Sequence, residues 1–178
     1  MRYLTAMLTV VALLLIVVAG CATEPSYLAA PTDLPKTDAS NNYMQIVVYY
    51  PDKDALAKEV REVPRETDKV KAALDILFEG KPNNGNIMPV MPENVKVLGT
   101  RIDNNTVTIN FNRNILNFSG NKSSQDLLLM AIISTAQQSN SLKQFKFQVE
   151  GKEKGRIDGK DVEKFWGGVT LKDQPWKI

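Results

Sequence analysis

The chemistry open to this chain is bounded first by what it lacks. Its 178 residues include no histidine and a single cysteine, Cys21. Without histidine the usual general base, proton shuttle and metal ligand at neutral pH are missing, and a serine–histidine pair cannot form. Among its 20 carboxylates the candidates are Glu62 with Glu66, Asp103, Asp126, and the pair Asp158 and Asp161. Two acids divide acid and base roles only when their surroundings push their pKa values apart, and these sit in polar stretches that read as solvated surface. Asp158-Gly159-Lys160-Asp161 with Glu163 does not have the spacing of a calcium-binding loop, and lysines interrupt it. Ser119, Ser123, Ser124, Ser134 and Ser139 lack the strand–turn–helix setting of a nucleophile elbow. No catalytic residue, metal site or cofactor is expected, and the chain reads as a non-enzyme. The aromatic residues are the other side chains able to bind. Phe165 and Trp166, followed by Gly167-Gly168, and Trp176 after Pro175 lie in segments of weak periodicity, which makes them the interaction candidates.

Cys21 stands at a distinctive place. Arg2 precedes an uncharged apolar run from Leu4 to Val18, the order of an export signal. The run falls short of the ~20 apolar residues of a membrane span and ends in small residues. The junction Val18-Ala19-Gly20-Cys21 resembles the bacterial lipobox. That resemblance implies a diacylglyceryl thioether on Cys21, cleavage before it, and anchoring on the extracytoplasmic face of a cell membrane through that lipid. With one cysteine no intramolecular disulfide is possible, so the thiol has no structural pairing to perform.

Residues 1–20 thus form the expected signal peptide, and 158 residues remain, enough for one domain and a tether. Loss of Arg2 leaves 21 basic against 20 acidic side chains, a balance that gives no argument for nucleic acid as a partner. Residues 21–42 carry Pro25, Pro31 and Pro35 among small polar residues and read as a tether, whether a spacer or merely a loose terminus.

The domain is expected over residues 43–178. Met44, Ile46, Val48 and Tyr50 alternate with their neighbours as in a strand that Pro51-Asp52 ends, and Leu56 to Val63 reads as a second. Thr67 can cap a helix carrying Val70, Ala73, Leu74, Leu77 and Phe78, which Gly80 and Pro82 stop. Val95–Ile102 and Thr106–Phe111 form a hairpin around Asp103-Asn104-Asn105. Ser123 or Ser124 can cap a second helix with the apolar stretch Leu127–Ile133, running to about Gln138. Lys143–Glu150 alternates again, Lys152–Asp161 reads as a charged loop, and Val169–Leu171 is a candidate last strand. The order predicts an α+β fold, a mixed sheet with two helices packed on one face.

With these segments placed, residues 43 to 171 resemble the GerMN domain of bacterial sporulation and spore-germination lipoproteins. The resemblance rests on Val48-Tyr49-Tyr50-Pro51-Asp52, Leu77-Phe78-Glu79-Gly80-Lys81-Pro82, Pro92 leading into Val95-Lys96-Val97-Leu98, Thr106-Val107-Thr108-Ile109-Asn110-Phe111, Ile133-Ser134-Thr135, and Phe145 to Lys152. It departs at the Asp103-Asn104-Asn105 turn, where the family often has glycine. It implies a fold similar to ring-building motifs, no assigned catalysis, and work in envelope assemblies. Two functions are therefore expected in rank order. The first is a lipid-anchored, non-catalytic adaptor or scaffold whose partners are the bilayer and another envelope protein. The alternative is a module binding cell-wall glycan or a small ligand.

Overall fold

The computed structural model describes residues 42–177; Cys21, the expected export signal and all of the expected tether but Asn42 lie outside these residues. Two long strands open the domain, β1 (Tyr43–Asp52) and β2 (Ala55–Pro64), paired antiparallel without a bulge from Tyr43↔Pro64 to Asp52↔Ala55. Ile46, Val48 and Tyr50 are fully buried, so the alternation read from sequence selects the inner face. Pro51 falls inside β1 and costs the ladder nothing, because the odd-numbered residues of β1 direct their backbone groups away from β2.

Helix α1 (Lys69–Glu79) buries Val70, Ala73, Leu74 and Leu77. Its cap is Asp68, not the expected Thr67: Asp68 Oδ1 accepts from the amides of Val70 (2.9 Å) and Lys71 (3.0 Å). Gly80 ends the helix at φ 63°, a left-handed conformation that glycine adopts without a Cβ penalty. Strands β3 (Val97–Asp103) and β4 (Thr106–Phe111) form the expected hairpin. Asn104 takes φ 54° in its turn, doing there what glycine would do. A 3₁₀ turn over Arg113–Asn117 then buries Ile115 and Leu116.

Helix α2 (Lys122–Ala136) is capped by Asn121, whose Oδ1 accepts from the Ser124 amide at 2.9 Å; the expected caps Ser123 and Ser124 lie inside the first turn. The helix makes the crossover that lets β5 (Gln144–Val149) pair parallel to β4. After β5 come a short hairpin, β6 (Arg156–Ile157) and β7 (Lys160–Asp161), and an end strand, β8 (Trp176–Lys177), antiparallel to β5. The charged stretch read as a loop thus holds a hairpin. Its two-residue turn, Asp158-Gly159, has positive φ at both positions, as a tight hairpin turn requires. Val169–Leu171 is not a strand; Leu171 begins a 3₁₀ turn, and the last strand comes five residues later.

The strands form a four-stranded mixed sheet in the order β3-β4-β5-β8, beside the separate β1-β2 hairpin and the small β6-β7 pair. Val107, Ile109 and Phe111 of β4 and Phe145, Phe147 and Val149 of β5 are all fully buried on one sheet face. They share one core with Val70, Leu74 and Leu77 of α1 and Leu128 and Ile132 of α2. The fold is α+β, a mixed sheet with two helices, as the sequence predicts. No helix among the described residues is long and apolar enough to cross a membrane.

Candidate functional site

The carboxylates singled out from sequence are each occupied locally or left in solvent. Asp126 pairs with Lys122 one turn away at 2.7 Å. Asp158 receives the Arg113 guanidinium at 3.0 Å, and Asp161 accepts the Glu163 amide within its turn. Glu62, Glu66 and Asp103 are exposed. Among the described residues no group of three or more acidic or cysteine side chains converges on a point where a metal could sit.

The aromatic candidates require a correction. Phe165 and Trp166 are 5% and 6% exposed and belong to the core. The Trp166 indole donates to the Ile115 carbonyl at 2.7 Å, and its ring meets Phe118 and Phe165 at centroid distances of 5.2 and 4.6 Å. Phe165 reaches Phe147 of β5 at 5.7 Å. Rings this deeply buried offer no platform to a glycan or peptide. Trp176 is half-buried, its ring 4.7 Å from Phe147. The glycine-rich segment hid this burial because an irregular backbone carries no periodic signature.

Two polar arrangements that sequence reasoning missed hold the sheet edges. At β1, Gln138 Oε1 accepts from the Val47 amide (3.1 Å) while its Nε2 donates to the Val47 carbonyl (2.8 Å). Thr135, one turn back on α2, accepts from the Tyr49 amide at 2.9 Å. At β5, Gln174 repeats the pattern on Phe147, accepting from its amide at 2.7 Å and donating to its carbonyl at 3.2 Å. In each case a side-chain amide replaces a neighbouring strand and withdraws an edge from pairing.

A third arrangement joins β2 to the loop after α1. The Glu59 carboxylate accepts from the amides of Asn83 and Asn84, both at 3.0 Å, and from Arg61 at 2.8 Å. Arg61 in turn donates to the Lys81 carbonyl. Burial pushes the Glu59 pKa up; the two amides and the guanidinium outweigh this and hold it below the usual carboxylate value. Glu153 follows the same logic, with burial opposed by hydrogen bonds from Lys146 and Gln148 and a net lowering. Burial also raises the Tyr50 phenol, which donates to the Ile76 carbonyl. These groups brace the fold; none is paired with a second group of opposite protonation poised for proton transfer.

Besides open polar clefts of about 400 Å³ by Lys146 and Glu153 and about 560 Å³ by Asn94 and Asn114, the surface offers exposed apolar area. Met88 is 81% and Val90 63% exposed on the loop between α1 and β3, and Met130 of α2 is 56% exposed. Met88, Val90, Pro51 and Leu127 line one shallow cleft of about 80 Å³, too small for a metabolite. Met130 lies one turn from Leu127 on the same helix. Met88 is thus the methionine that lines this cleft, and Met130 an exposed one elsewhere on α2.

Comparison with known proteins decides the family. Residues 47–155 match the sequence model of the Germane family, described as sporulation and spore germination. The chain belongs to this Germane family. Among solved structures, the tandem GerMN domains of the sporulation protein GerM from Bacillus subtilis superpose with a TM-score of 0.51 at 22% identity, over 70% of this chain and 43% of that one. The chain thus spans less than half of the tandem protein. The first GerMN domain of the same protein gives a TM-score of 0.50 at 18% identity, over 73% of this chain and 99% of that one. At these identities the likeness establishes the fold, one GerMN domain. No curated protein matches. The Germane match stops at residue 155, so Phe165, Trp166, Gln174 and β8 all lie beyond it.

Proposed function

We propose that this GerMN-domain protein is a lipid-anchored, non-catalytic adaptor that holds another envelope protein at the extracytoplasmic face of a cell membrane. The observation that carries the docking half is the set of exposed apolar side chains Met88, Val90 and Met130, with Met88 and Val90 lining a cleft beside the half-buried Leu127. The anchoring half rests on Cys21 behind its export-type signal and on its lipobox context. Two acyl chains on one residue would anchor stably, where a single chain binds reversibly. The glycan-binding alternative loses most of its support, because Phe165 and Trp166 are packed in the core and Trp176 is left half-buried against Phe147.

The test is affinity purification from detergent extracts of cells producing the wild type, M88D/M130D and C21A. A specific envelope protein should co-purify with the wild type and be lost with M88D/M130D, while the circular dichroism of that variant stays unchanged. C21A should leave the membrane fraction. Repeated recovery of the wild type alone, or equal capture by M88D/M130D, would sink the docking half; a membrane-bound C21A would sink the anchoring half.

A further inference from the structure

Among the described residues one long sheet edge carries no cover of the kind found at β1 and β5. The amides of Val47 and Tyr49 face α2, so the even-numbered residues of β1 bond to β2, as the Arg65 amide does to the Asn42 carbonyl at the hairpin's open end. By that parity the backbone groups of Leu56, Lys58, Val60 and Glu62 point away from β1. β2 is otherwise bare on that side: these groups have no hydrogen-bond partner among the described residues. The strand runs ten residues in unbroken register, so its edge is regular. Lys58, Val60 and Glu62 are exposed, Val60 by 51%.

Charged residues on an edge normally repel a second copy. Here their order does the opposite. Around Val60 the sequence reads Lys58-Glu59-Val60-Arg61-Glu62, antisymmetric in charge. If a second β2 lies antiparallel with Val60 on the two-fold axis, Lys58 faces the partner's Glu62, Glu59 faces the partner's Arg61, and Val60 faces the partner's Val60. The exposed Lys58 and Glu62 each meet an opposite charge, twice over by symmetry, while Glu59 and Arg61, already paired within each chain, meet no like charge. The parity fits as well, since Val60, Lys58 and Glu62 all present their amides and carbonyls outward, as a hydrogen-bonded antiparallel pairing requires. Pro64, with no amide to donate, closes the ladder. On the outer face Val47 lies directly across from Val60, so the joined hairpins would carry an apolar row of four valines.

We infer that the β2 edge pairs with the β2 edge of a second copy of this chain, giving a two-fold, four-stranded antiparallel sheet centred on Val60. This is a separate surface from Met88 and Met130, so either proposal can fail alone. The test uses the full chain in its native membranes. In V60C, mild oxidation should yield a dimer whose tryptic digest contains the peptide Glu59–Arg61 disulfide-linked to itself, because Cα atoms of a hydrogen-bonded antiparallel pair lie ~5.5 Å apart. Adding K58E or E62K should each lower the yield of the peptide linked at position 60 about tenfold, since two symmetric pairs turn from attraction to repulsion; that peptide runs Asp54–Arg61 wherever K58E removes the tryptic site after residue 58. The double change K58E/E62K, and co-production of the two single variants, should each restore it. Absence of the linked peptide while V60C reacts freely with a maleimide would overturn the proposal. Equal yields from all charge variants would also overturn it.

Discussion

Trp166 gives the sharpest division between a binding role and a structural one. Its ring is 6% exposed, and full burial of a tryptophan removes about 150–250 Å² from water, worth about 4–6 kcal/mol at ~25 cal/mol per Å² as an upper bound. Measured truncations of buried large aromatics cost about 3–5 kcal/mol. W166A also strips the Ile115 carbonyl of its indole donor in a buried setting, a further ~1–3 kcal/mol. Against a total of about 5–15 kcal/mol for a domain, W166A should leave a marginally folded protein. W166F keeps most of the apolar volume and loses the hydrogen bond, so about 1–3 kcal/mol is expected. Urea titration followed by far-ultraviolet circular dichroism reads both, since fluorescence would be confounded by the loss of one of two tryptophans. A W166A midpoint within error of the wild type, with binding to a partner abolished, would refute the core assignment and return the ring to the surface.

Three other perturbations follow from the polar braces. Glu59 has a folded pKa held below its ordinary value, so its contribution is present above the unfolded carboxylate pKa and is lost as pH falls through the folded one. E59Q should therefore flatten part of the acid limb of a stability-versus-pH curve, and should cost about 1.5–3 kcal/mol at pH 7 from the weakened charge-assisted bonds; an unchanged acid limb would contradict the assignment. Q138A removes both hydrogen bonds on Val47, and should raise amide exchange at Val47 more than at Val48, whose amide is in the ladder with β2, while costing about 1–2 kcal/mol. D68A should destabilise by about 1 kcal/mol through the lost cap, whereas T67A should be near neutral, and equivalent thermal shifts from the two would favour the other capping residue.

The parts of this fold legible in sequence are those where one face of an element is buried and the other wet. β4 and β5 alternate strictly because Val107, Ile109, Phe111, Phe145, Phe147 and Val149 all meet the same core, and their ends fall within a residue of expectation. The caps were off by one to three residues for a local reason. Thr67-Asp68 and Asn121-Lys122-Ser123-Ser124 each offer adjacent side chains able to accept an amide, and only the backbone path into the helix selects one. Trp166 and Gln174 were illegible for the opposite reason. Their partners, the Ile115 carbonyl and the Phe147 backbone, lie 51 and 27 residues away, and no local pattern encodes such contacts. Glu59 looked like one charge in an alternating surface strand, because the amides of Asn83 and Asn84 that desolvate and bind it come from a distant loop.

The two glutamines also bear on which surface can act. A side-chain amide satisfies one residue's amide and carbonyl and needs a helix or turn to deliver it, so it closes an edge only where the fold places such an element alongside. α2 runs beside β1, and the segment after residue 155 lies beside β5, which makes the second closure a feature of the chain beyond its family match. β3 has a bulge between Val97 and Gly99, which breaks the regular spacing a second strand would need. Among the described residues β2 has neither a helix alongside its outer edge nor a bulge, and the loop held by Glu59 grips its side chains without bonding the outward backbone groups of Lys58, Val60 and Glu62. Where β1, β3 and β5 are stopped by a helix, a bulge and a turn, the control visible along β2 among the described residues is Pro64 at its end and the order of its charges, and that order favours a copy of itself.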